Sequence, residues 1–69
     1  NNNQDLKELI NETIQLMGLS SMEDDERNMW TVILPSMQKE EIEKLKAALE
    51  KEIKTMTNIY FKAKQETKN

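Results

Sequence analysis

Residues 37–66 read MQKEEIEKLKAALEKEIKTMTNIYFKAKQE, thirty positions without a glycine or proline. Nothing in this run interrupts a helix, and Lys, Glu, Leu, Ala and Met all favour one. At 1.5 Å per residue it predicts a rod of about 45 Å. Its apolar positions are Ile42, Leu45, Leu49, Ile53, Met56 and Tyr60, so that Ile42 maps to Ile53, Leu45 to Met56 and Leu49 to Tyr60 at an offset of eleven. Eleven residues in three turns is close to the unstrained helical period, so the stripe stays on one side of a nearly straight helix. A heptad reading would place Glu52 in the seam, at the cost of a desolvated carboxylate. Ser36, just after Pro35, is the expected cap of this helix.

Upstream, Pro35 disfavours helical geometry at Leu34 and ends a second helix expected over 21–34. Ser20-Ser21-Met22-Glu23 matches a capping box, and the acidic run Glu23-Asp24-Asp25-Glu26 suits the positive end of a helix. Met22, Met29, Trp30, Ile33 and Leu34 form its expected buried stripe, with Val32 outside it and Trp30 as the core anchor. A first helix is expected over 4–17, where Leu6, Leu9, Ile10, Ile14 and Met17 recur at helical spacing. Gly18 then reads as a left-handed stop, with Leu19 folding back on Ile14. Asn1, Asn2 and Asn3 read as a solvated lead-in. The missing initial Met reads as processing or excision from a longer protein.

The expected fold is therefore all-α: residues 1–69 as a single domain, with two short helices and one long C-terminal helix near 37–66. A chain of 69 residues is a single small domain by length. Below roughly 70–80 residues one core seldom supplies more than about 3–5 kcal/mol, and a disulfide, a metal or a partner normally adds the rest. No Cys and no His are present, which excludes disulfides, thiolate nucleophiles, histidine triads and Cys/His zinc sites. The one glycine cannot build a phosphate-cradling loop, and the acidic run lacks the ligand order and central glycine of a calcium loop. The reading is accordingly no enzyme, no catalytic residues, no cofactor and no metal, with the acidic run serving as a helix start. Lacking an apolar run of membrane-spanning length, a secretory signal and cysteine, the sequence defaults to the cytoplasm.

What remains is association. If the second helix packs antiparallel on the first half of the third, the C-terminal half of the third is left uncovered, with Ile53, Met56, Ile59, Tyr60 and Phe61 as its contact surface. A second copy is the simplest cover, giving a homodimer with the third helices antiparallel; another protein partner is the variant of the same idea. Charge agrees in sign. Residues 1–35 hold seven acids and two bases, and residues 36–69 hold six acids and eight bases. The five methionines read as core filling. The competing reading is a weak nucleic-acid or membrane-surface binder using Lys54, Lys62, Lys64 and Lys68 with Tyr60 or Phe61. Four lysines without an arginine in an acidic chain argue against strong phosphate binding.

Overall fold

A computed structural model describes residues 2–67 and contains three helices: α1 (Asn2–Leu19), α2 (Asp24–Ile33) and α3 (Lys39–Thr67). A 3-10 turn, Leu34–Ser36, joins α2 to α3, and no strand occurs among the described residues. The all-α expectation holds. Asn1, Lys68 and Asn69 lie outside the described residues, whereas Asn2 and Asn3 belong to α1 rather than to a lead-in.

The helix ends differ from the sequence reading, and each difference has a local cause. Gly18 is helical, without a positive φ, and α1 continues through Leu19. Ser20 closes the helix instead. Its hydroxyl donates to the Met17 carbonyl at 2.8 Å, and its backbone N–H donates to the Leu16 and Met17 carbonyls at 3.1 and 3.3 Å. Leu19 does not fold back on Ile14 but stands 67% exposed.

The capping box does not form either. The Ser20 hydroxyl accepts the Met22 N–H at 3.1 Å, and Ser21 turns away to Glu52, so α2 begins three residues later than expected. Glu23 is its extended N-cap and makes no side-chain cap bond, while its carbonyl accepts the Arg27 N–H at 2.9 Å. Arg27 also pairs with Asp24 within the first turn. At the next corner Pro35 sits in the 3-10 turn, which the Met37 N–H closes on the Leu34 carbonyl at 3.1 Å. This takes Ser36 out of the capping position. Gln38 takes its place, accepting the Glu41 and Ile42 N–H groups at 3.0 Å each while its own N–H donates to the Glu41 carboxylate at 3.4 Å.

The core consists of Met17, Leu34, Ile42 and Leu49, flanked by half-buried residues that include Leu6, Leu9, Ile10, Trp30 and Leu45. Thr13 lies fully buried among these apolar neighbours on α1. Its hydroxyl donates to the Leu9 carbonyl at 2.7 Å, which removes most of the cost of burying it. The α2 stripe is rotated from the expected one. Leu34 is fully buried and Trp30 half-buried, whereas Met29 and Ile33 are exposed, because α2 faces inward along Trp30 and Leu34.

The main partner of α3 is α1, not α2. Two polar pairs give the direction: Lys46 on α3 meets Glu12 at 3.4 Å, and Glu52 on α3 meets Ser21 just past the end of α1. Both sequences advance the same way, so α1 and α3 run parallel and the shorter α2 carries the chain back between them. An antiparallel pairing of α2 with the first half of α3 is thereby replaced. The reason is length: α2 has 10 residues and spans about 15 Å, while α1 has 18 and spans about 27 Å, offering the longer face to cover.

Candidate functional site

Where α1 ends, α3 does not. Ser21 donates twice to one Glu52 oxygen, from its backbone N–H at 3.0 Å and its hydroxyl at 2.6 Å. These bonds pull the Glu52 carboxyl below the ordinary carboxylate range, the hydroxyl bond contributing most and the backbone bond next. They also tie the α1–α2 corner to α3 at the last point where another element accompanies it. Half-buried Ile53 follows, and every residue from Lys54 to Glu66 is exposed. The molecule is correspondingly long, 51 × 27 × 15 Å.

This tail of α3 carries four large apolar side chains in open solvent: Met56 at 42% exposure, Ile59 at 63%, and Tyr60 and Phe61 at 58% each. Met56 and Tyr60 continue the face that Ile42, Leu45 and Leu49 turn toward α1, and they project over the space beyond the α1–α2 corner. Ile59 and Phe61 flank that face on opposite sides. The Tyr60 and Phe61 rings meet edge to face at 5.9 Å, and the Lys64 ammonium lies 5.4 Å from the centre of the Tyr60 ring. The cation thus sits on the same face as the aromatic group. Lys64 is also in the last turn of α3, where the helix dipole favours a positive charge.

Of the residues marked out in the sequence, Met56, Ile59, Tyr60 and Phe61 come together on this tail, and Ile53 lies at its root. Trp30 sits apart from them, packed on the core from α2, with its ring nitrogen shielded and without a hydrogen-bond partner among the described residues. Lys68 lies outside the described residues. A second exposed apolar group, Met29, Val32 and Ile33, occupies the outer side of α2. The Ser21–Glu52 clamp is not legible in the sequence. Its partners are thirty-one residues apart, and the only hint in the sequence is a carboxylate on the flank of an otherwise apolar stripe.

Among the described residues no helix is long and apolar enough to cross a membrane, and no three acidic side chains converge as a metal site would require. Compared with protein families, with curated proteins and with solved structures, the chain matches none.

Proposed function

We propose that this chain is a small helical assembly module whose copies pair through the tail of α3, with two tails antiparallel about a two-fold axis, and that it works by contact and not by catalysis. The observation that carries this reading is the continuation of one apolar stripe from full burial at Ile42 to open exposure at Tyr60. Fully burying each large apolar side chain is worth about 1.5–3 kcal/mol relative to leaving it exposed, a substantial fraction of a small domain's stability. A two-fold pairing covers each stripe with its own copy and requires no other partner. The cytoplasm remains the expected setting.

The test is a pair of substitutions, Met56→Glu with Tyr60→Glu, examined by light scattering at micromolar concentration. The wild-type chain is expected at twice the monomer mass and the double variant at the monomer mass, with the helical circular dichroism of the folded body retained. Equal masses for the two would refute the proposal. Salt separates it from phosphate binding by the lysines. A dimer held by apolar contact changes little in affinity between 50 and 200 mM salt, whereas nucleic-acid binding falls steeply with salt.

A further inference from the structure

The exposed fractions of Met56, Ile59, Tyr60 and Phe61 amount to on the order of 400 Å² per protomer, given that a large side chain buries roughly 150–250 Å². A standard stable interface needs about 800 Å² per partner. These four side chains therefore supply only about half of such an interface, and the rest comes from the polar surface of the tails and from whatever the tail's last turns meet. The overhang runs from Ile53 to the end of α3 at Thr67, and its midpoint is Tyr60. An axis there sets the second copy's Lys64 opposite Met56 and its Thr67 opposite Ile53. Met56 is one turn from Glu52, and Glu52 is where the α1–α2 corner is clamped through Ser21.

The start of α2 at that corner is acidic, and its one base, Arg27, is paired with Asp24. Glu26 and Trp30 follow i, i+4 and share one face of α2, which Leu34 continues into the 3-10 turn. Trp30 and Leu34 use it to meet the core, but Glu26 lies past the core's end on the same face and is exposed, with Glu23 exposed beside it as the extended N-cap. Helical side chains lean toward the N-terminus, which carries the Glu26 carboxylate toward the tail of α3. The chain's own Lys64 does not serve these carboxylates. It lies twelve residues beyond Glu52, about 18 Å farther along the helix.

We infer that the α1–α2 corner is the docking seat for the last turns of the second copy's α3, with Glu23 and Glu26 receiving that copy's Lys64 and with Leu19 and Met22 adding apolar area at the rim. This rests on the tail pairing proposed above and adds to it a second, charged contact, made twice by symmetry. The contact fixes the register of the tails: sliding them by one turn would leave both lysines short of both carboxylate pairs.

The natural absence of cysteine makes the test direct. A Glu23→Cys chain mixed with a Lys64→Cys chain, under oxidised glutathione, is expected to give a disulfide-linked heterodimer as the main product. Both positions are exposed, Glu23 makes no side-chain cap bond, and Lys64→Cys gives up the ammonium's contact with the Tyr60 ring on the surface of the tail. Glu23→Lys with Glu26→Lys is expected to weaken the dimer about tenfold at low salt, and adding Lys64→Glu to restore most of the loss. A rescue of this kind cannot arise from damage to α2 alone. A dimer that survives with no crosslink, and whose affinity moves less than twofold, overturns the seat while leaving the tail pairing in place. Monomer mass for the wild-type chain at every concentration overturns both.

Discussion

The two halves of α3 carry the same pattern and end in opposite environments. Leu49 and Tyr60 are equivalent in the eleven-residue repeat, yet Leu49 is 4% exposed and Tyr60 is 58% exposed. Their difference comes from α1, which accompanies α3 only as far as the Ser21–Glu52 clamp. A hydrophobic period thus specifies that a helix has an apolar face and where that face points. It does not specify what covers it. In this chain the first half of the stripe is answered within the molecule and the second half stands exposed.

The largest effect expected from that difference lies in paired truncations. Leu49→Ala should cost about 2–5 kcal/mol of folding stability, because it leaves a cavity in the core. Tyr60→Ala, measured at nanomolar concentration where chains are separate, should fall within about 0.5 kcal/mol of wild type, as an exposed position does. Denaturant melts decide the matter. A comparable loss at both positions would mean that the tail is covered within one chain, and the contrast between the halves would collapse.

A sharper version removes the tail outright. A chain ending at Thr55 should keep its unfolding midpoint at low concentration and lose helical circular dichroism only in proportion to the residues removed. It should also lose the concentration dependence expected of the full chain. A large fall in midpoint at low concentration would show that the tail supports the body.

Smaller effects probe the boundary between the halves. Gly18 is helical and has no positive φ, and a Cβ added there would meet the Arg27 guanidinium at 3.4 Å, an ordinary contact. Gly18→Ala should therefore stabilise the fold by about 0.5–1 kcal/mol. Destabilisation would point instead to the left-handed stop that the sequence suggests. Glu52 has a pKa lowered by Ser21, so its contribution is complete above the ordinary carboxylate pKa and is lost as pH falls through the lowered value. Glu52→Gln should flatten the pH dependence of the melting temperature in that acidic window and leave other regions of the profile unchanged. An unchanged acid profile would remove the clamp from the account.

The stripes on α1 and α3 were legible in the sequence because helical spacing is a property of each segment alone. So was the overhang, which follows from unequal helix lengths. The caps were not legible. The Ser20 hydroxyl is taken by the Met17 carbonyl and the Met22 N–H, and Ser21 donates to Glu52 in charge-assisted bonds, so the local box with Glu23 gives way to a distant carboxylate. That competition is settled by tertiary structure. Thr13 is polar and so stands outside an apolar stripe, although it lies midway between Leu9, Ile10 and Met17 on the helical face and is fully buried. The choice of α1 over α2 as the partner of α3 also escaped the sequence, since short corners permit either neighbour. The exposed apolar residues Met56, Ile59, Tyr60 and Phe61 are legible as a group, while the position of Glu23 and Glu26 at the α1–α2 corner emerges only once α2 is placed.

The most direct test of the central claim is sedimentation equilibrium of the full wild-type chain across nanomolar to high micromolar concentration. A reversible passage from the 8.1 kDa monomer to twice that mass is expected, with no further growth. A single monomer mass throughout, with the helices intact, would contradict it.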